Sequence, residues 1–223
     1  MKHKIFSFIN IFGLTIGLAS FLLIALYIFD EFTFDRFHKS AEDIYRVIET
    51  KTTPEGKQTK SAGAGFQVSE KPKTDFPEVK DAVRLIALGR VNVSTTENTN
   101  VFYENYTLAS QGFLTTFSFE LLEGDRHTAL TAPYSVIVTE ETAQKLFSTT
   151  HVIGKMIKND RDNQFFKITA ILKNFPVNSH LSFNLLFSES SNTNDDFRQF
   201  VSSDWNSGAF ASYLLLDDKT DAH

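Results

Sequence analysis

The sequence predicts an α+β protein in which one N-terminal transmembrane helix precedes a water-soluble domain. Three observations predict it. No residue from Ile5 to Phe29 is charged. Beyond Asp30, segments that alternate as strands do are interleaved with short capped helices, a pattern of α+β architecture rather than of a doubly wound sheet. The mean hydropathy of −0.17 averages over two unlike regions, one apolar and one polar.

The charge-free run holds only mild interruptions: Ser7, Asn10, Thr15, Ser20 and two glycines. At ~1.5 Å per residue it makes a helix of roughly 37 Å, longer than the ~30 Å hydrocarbon core. Lys2, His3 and Lys4 resemble the basic start of a secretory signal. However, the apolar run exceeds the ~7–15 residues of a signal peptide, and no small-x-small site precedes Asp30. A membrane anchor is the expected reading. Lys2 and Lys4 on one side nearly balance Arg36, Lys39 and Arg46 on the other, so charge alone leaves the orientation open. Gly13 and Gly17 share a helix face and would let another membrane helix approach closely.

The length of 223 residues suits one ordinary domain or two small lobes. The chain carries 22 Lys+Arg against 27 Asp+Glu, a net charge of −5. Residues 1–29 hold two lysines and no acid, so the remainder has 20 cations against 27 anions, or −7. That acidity argues against a nucleic-acid binder. With no cysteine, thiol catalysis, zinc ribbons and disulfide scaffolds are excluded. Phenylalanine is abundant, at 23 residues against 6 Tyr and 1 Trp.

The soluble part opens on a polar and aromatic stretch, Asp30 to Asp35, suited to an interface. Ser40 is expected to cap a short helix, followed by a strand from Ile44 to Glu49. Thr52 to Gly65 reads as a loop, and Phe66 to Asp75 as a helix ended by Pro77. Strands are expected at 82–88, 90–94 and 101–109, then a short helix at 111–117. A β-branched run at 134–138 leads into a helix from Glu140 to Phe147, capped by Thr139 with two acids in its first turn. Later strands are expected at 155–158, 165–172, 181–187 and 212–216, with loop and short helix over 188–206.

Chemical motifs are absent. Gly56-Lys57 and Gly154-Lys155 lack the other elements of a phosphate loop. The six histidines are scattered, with no pair at metal-ligand spacing. Asn92-Val-Ser94 and Asn105-Tyr-Thr107 fit a glycosylation sequon that chance produces often. No catalytic, cofactor-binding or metal-ligating residue is expected.

Three stretches resemble a known family. SFINIFGLTIGLASFLLIALYIFDEFTFDRFHKSAEDIYRV resembles the first transmembrane helix and exit segment of ABC transporter permeases of the MacB/FtsX type, in the large form of Bacteroidetes-like bacteria. FSFELLEGDRHTALTAPYSVIVTEETAQKLF resembles the middle of that family's periplasmic core domain. VIGKMI and FFKITAILKNFPVNSHLSFNLLFS resemble its later strands. The resemblance runs in order along nearly the whole chain.

It implies residues 1–32 as a cytoplasmic stub and transmembrane helix, and residues 33–223 as a periplasmic core domain. That domain would have two lobes, porter-like and small β-rich. The protein would lie in the bacterial inner membrane with its N-terminus cytoplasmic. It would serve an exporter whose separate ABC ATPase subunit drives expulsion of cargo from the periplasm or outer leaflet. Further implied partners are a second permease copy or pseudo-copy, a periplasmic adaptor and membrane lipid. Such permeases continue into three more spans, so a chain ending at Asp221-Ala222-His223 is expected to be truncated. On this reading Gly13 and Gly17 pack helices, and Asp30, Glu31 and Asp35 form the joint where the helix leaves the membrane. Gly124 and Gly154 serve turns needing positive φ, and Pro176 opens the connection to Leu181. The alternatives are a membrane-anchored periplasmic sensor or binding domain, and a signal-anchored enzyme with a pocket of convergent polar groups.

Overall fold

The computed structural model describes residues 2–97, 100–192 and 195–217. The end at Asp221-Ala222-His223 lies outside the described residues. The chain forms two compact units: Met1–Phe37 with Pro176–His180, and His38–Phe175 with Leu181–His223.

The first unit is dominated by α1 (Lys2–Thr33). The most apolar 18-residue window of its Ile5–Thr33 span has a mean hydropathy of 2.4, and none of that window is buried by protein. A helix that exposes apolar side chains all round is matched to lipid rather than water. Thr15 hides its hydroxyl by donating to the Ile11 carbonyl at 2.7 Å.

The second unit begins with β1 (Ile44–Arg46), β2 (Glu49–Thr52) and β3 (Gln58–Ser61), then α2 (Gln67–Glu70) and α3 (Pro72–Asp75). β4 (Val79–Thr95), β5 (Val101–Ala109), α4 (Phe113–Thr116), β6 (Leu121–Gly124), β7 (Ser135–Thr139) and α5 (Glu140–Phe147) follow. The rest is β8 (Met156–Asn159), β9 (Gln164–Leu172), β10 (Leu185–Ser188), a 3₁₀ turn at Glu189–Ser191, α6 (Asp195–Ser203) and β11 (Ala211–Leu216). This is the expected α+β domain behind an apolar helix.

β4 organises the nine-stranded sheet. Its first half pairs with β11, which in turn pairs with β1. It pairs with β5 on both sides of a bulge at Gly89, and its last residues pair with β8. From β8 the ladder passes to β9, β7, β10 and back to β5. Six strands therefore close into a ring, which leaves those strands without open edges. Alternate residues fill it: Val91 and Val93 from β4, Tyr106 from β5, Val136 and Val138 from β7, Ile157 from β8, Phe166 and Ile168 from β9, Leu185 and Phe187 from β10. α5 adds Ala143 and Leu146 to the same core. Thr139 caps α5 by accepting from the Thr142 amide, and Ser148 ends it in the left-handed region.

The differences from the sequence expectation are local. Where a loop was expected over 52–65, residues 49–61 form a hairpin: β2 and β3 pair through a turn closed by Thr53 N donating to Lys57 O. Both strands are polar and exposed, so no alternation betrayed them. The helix expected over 66–75 breaks into α2 and α3 before Pro72, whose ring forbids a continuous helix. Instead of a helix capped by Ser40 there are two consecutive turns, Ala41 N to His38 O and Asp43 N to Ser40 O. β6 was not anticipated. It pairs with β9, and Gly124 ends it at φ +106°, with space for no Cβ: one would lie 2.6 Å from the Thr169 carbonyl.

Gly124→Ala combines a forbidden φ with a backbone clash. It is expected to destabilise the second unit by about 2 kcal/mol or more. Denaturant unfolding of the detergent-solubilised protein measures this, and an unchanged midpoint would refute it.

Candidate functional site

The end of α1 is tied to a distant loop, all within the first unit. The last turn holds Asp30 and Glu31, both exposed, and no basic residue. Acids there oppose the helix dipole, so partners are needed for the terminal carbonyls. Asn178 supplies one, donating from Nδ2 to the Thr33 carbonyl at 2.8 Å. Asp35 follows at φ +58°, a left-handed conformation that Asp tolerates better than most residues. Its amide donates to the Asn178 carbonyl at 2.9 Å. Its carboxylate takes the other side: Oδ1 accepts the His180 amide at 3.1 Å, and Oδ2 lies 2.6 Å from His180 Nδ1. The loop 176–180 is thus clasped to the helix end by backbone and side chain together. Pro176 opens this loop.

The second unit anchors the chain on either side of that clasp. His38 is buried, its Nδ1 accepting the Ser118 amide at 3.1 Å, and its ring lies 5.2 Å from Phe117 and 4.9 Å from Phe119. Phe175 packs 4.9 Å from Phe119 and 4.7 Å from Phe183. Phe113 stacks on Phe119, and Phe117 meets Tyr213 edge-on. Residues 38, 175 and 183 therefore belong to one cluster of rings. Arg126 braces it, donating to the carbonyls of Leu114, Phe117 and Phe119.

A cleft of about 470 Å³ in the second unit is lined by Phe66, Ser69, Glu70, Arg84, Glu189 and Val201, among others. Its floor is Arg84, bidentate to Glu189 at 3.1 and 2.7 Å and bonded to Glu70 at 2.7 Å, with the Phe66 ring 3.8 Å away. Burial disfavours the guanidinium charge, but Glu189 and Glu70 outweigh it and raise its pKa further. Arg84 is held by Glu189, Glu70 and Ser69 of its own protein, and among the described residues that line the cleft no nucleophile is poised beside a base. Behind it, buried Asp204 accepts from the amides of Phe66 and Ser207 and from the Ser207 hydroxyl. Burial alone would raise the Asp204 pKa; these donors prevail and hold it below its ordinary value of 3.8.

The other residues singled out from sequence are dispersed. A Cβ at Gly13 or Gly17 would meet nothing within 4 Å. Gly154, at φ +84°, donates its amide to the Ile168 carbonyl at 2.8 Å. Among those residues, the fold brings to each other only Asp35 and the segment that Pro176 opens. Asn178, His180, Arg84, Arg126 and Asp204 were not anticipated, since no spacing rule links residue 35 to residue 180 or residue 84 to residue 189. Among the described residues, no group of three or more His, Asp or Glu side chains is placed to hold a metal.

Asp35→Ala removes the acceptor of the His180 amide. Hydrogen exchange across 178–180 should accelerate about fivefold, the equivalent of one ordinary hydrogen bond. Unchanged protection would show that the clasp does not depend on the carboxylate.

A depressed carboxylate pKa stabilises the fold above the unfolded value near 3.8 and ceases to do so as pH falls through the folded value. Asp204→Asn is therefore expected to cost about 1–3 kcal/mol near neutral pH. The gap should close in acid below the ordinary pKa, as urea titrations at several pH values would show. A gap that is independent of pH would assign the loss to packing.

The sequence matches the family described as MacB-like periplasmic core domain over residues 7–222. Among solved structures, a domain of a putative permease from Porphyromonas gingivalis superposes with TM-score 0.71 at 19% identity, covering 82% of this chain and 77% of that one. The periplasmic region of MacB from Actinobacillus actinomycetemcomitans gives TM-score 0.52 at 10% identity, covering 71% and 67%. The extracellular domain of YknZ, a noncanonic ABC-type transporter from Gram-positive bacteria, gives 0.53 at 11%, covering 79% and 84%. No curated protein matches. At these identities the structures speak for the fold, while the family match extends from inside α1 to beyond β11. The chain belongs to the MacB-like periplasmic core domain family of ABC-type transporter permeases.

Proposed function

We propose that this chain is the mechanical element of an exporter, carrying ATP-driven motion from membrane helices into an extracytoplasmic domain. The carrying observation is the clasp of Asp35 and Asn178–His180 at the end of α1. Because loop 176–180 moves with the helix end, displacement of α1 reaches the second unit through three chain junctions: 37–38, 175–176 and 180–181. The first two junctions run straight into His38 and Phe175 of the ring cluster, and the third reaches it at Phe183. A packed aromatic cluster is stiff and passes displacement on rather than absorbing it.

From the family's resemblance to ABC transporter permeases, ATP hydrolysis is assigned to a separate ABC subunit. The permease is taken to act as a dimer or pseudo-dimer in the bacterial inner membrane, N-terminus cytoplasmic and residues 33–223 periplasmic. Its cargo would leave the periplasm or outer leaflet, with a periplasmic adaptor and surrounding lipid as further partners. Gly13 and Gly17 are assigned to packing against neighbouring membrane helices.

The cysteine-free sequence permits a direct test. A nitroxide at Lys57→Cys in each permease copy of the reconstituted transporter should report a distance that changes with ATP. Asp35→Ala combined with His180→Ala should shrink that change while nucleotide hydrolysis continues. A distance indifferent to nucleotide in the native protein would sink the mechanical reading and favour a static binding domain.

A further inference from the structure

The ring of six strands is covered on one side only. On β7 and β10 even the residues between the core positions, Ile137 and Leu186, are fully buried. On β5, β4, β8 and β9 the outward Val101, Tyr103, Asn105, Arg90, Asn92, Phe165 and Lys167 are exposed, and Ser94, Met156 and Lys158 are half-buried. The register sets Val101, Ser94, Lys158 and Phe165 in one row across these four strands. Tyr103 faces Asn92, Asn105 faces Arg90, and Met156 faces Lys167 in the adjoining positions. At about 4.8 Å between strands, the face is roughly 14 Å wide, enough for one extended segment or one helix.

Its chemistry departs from the rest of the domain. Residues 30–223 carry a charge of −7, yet this face presents Arg90, Lys158 and Lys167 and not one carboxylate. Among the described residues, none of the three forms an ion pair. Arg90 is held in place by Asn105, through Nε to Oδ1 at 3.0 Å, with its guanidinium 5.3 Å from the Tyr103 ring centroid. Tyr103, Val101 and Phe165 are exposed by 60%, 57% and 46%. Aromatic side chains beside a pre-oriented arginine are the composition of a protein-binding surface.

We propose that this face docks an acidic polypeptide, which sets carboxylates against Arg90, Lys158 and Lys167 and an apolar or aromatic side chain among Tyr103, Val101 and Phe165. A second copy of the chain fits poorly. Face to face it would oppose cation to cation, and docking onto an acidic surface elsewhere would not close. The proposal goes beyond force transmission and stands whether or not the domain moves with nucleotide.

The test uses the full chain in a non-ionic detergent at low salt. Fluorescent poly-L-glutamate and a random glutamate–tyrosine copolymer serve as probes, read by anisotropy. Both should bind, the copolymer more tightly. Lys158→Glu with Lys167→Glu should weaken both by about tenfold. Tyr103→Ser with Phe165→Ser should abolish only the advantage of the copolymer. Lys57→Glu with Lys60→Glu, on the exposed hairpin, should change neither. Unfolding midpoints establish that each variant is folded. Equal loss from the hairpin reversals would mean bulk charge and overturn the proposal, as would no binding by either polymer. Capture of phosphatidylglycerol vesicles through Lys158 and Lys167, without polymer binding, would overturn it in favour of a lipid surface.

Discussion

Burial of one cluster of aromatic rings is the constraint on which the chain's course depends. Phe113, Phe117, Phe119 and Phe183 are almost wholly buried, and His38, Phe175 and Tyr213 pack around them. Truncating a buried phenylalanine to alanine typically costs about 3–5 kcal/mol, comparable to much of a domain's net stability. The rings therefore cannot be given up, and the segments that carry them are fixed in place. Those segments include the chain leaving α1, at residue 38, and both flanks of the loop clasped to the end of α1.

The sheet obeys a second constraint. A strand of 17 residues is long, and β4 can be so long because its two halves serve different neighbours. The bulge at Gly89 lets it bend between them, where φ of +86° suits a residue without a Cβ. Below the bulge β4 belongs to the layer with β11 and β1; above it, β4 helps to close the ring. One covalent element thus joins the two parts, so neither can repack without disturbing the other.

What the sequence disclosed follows from where the physics is local. α1 was visible because 25 uncharged residues leave no alternative solvent. α5 was visible to the residue because Thr139, two acids and an apolar stripe all act within a few residues. β2 and β3 were invisible because exposed polar strands have no periodicity. The ring could not be read at all, since closure depends on partners such as Ser94 and Lys158, or Thr107 and Leu186, that no local rule pairs. The same holds for the site. Asp35 and Pro176 could each be singled out, one for its place after an apolar helix and the other as a breaker. That Asp35 meets His180 across 145 positions is a property of the fold. Family resemblance carried further than any motif because it integrates weak signals along the whole chain.

The cations of the second unit show how the two kinds of information combine. Arg84 is buried, and an unpaired guanidinium there would be costly, so Glu70 and Glu189 are drawn to it. Arg126 is engaged by three carbonyls, and Lys145 by the buried carboxylate of Glu104. Burial leaves Arg84 no other option, while for Lys145, itself exposed, it is the buried Glu104 carboxylate that needs the partner. Arg90, Lys158 and Lys167 face water, where no such compulsion operates and a net acidic protein has many carboxylates to offer them. Their outward rows nonetheless contain none, and carry exposed rings instead. Solubility alone calls for mixed charges and few exposed aromatics on a sheet face. A face that breaks both expectations at once is better accounted for by a partner than by solvent.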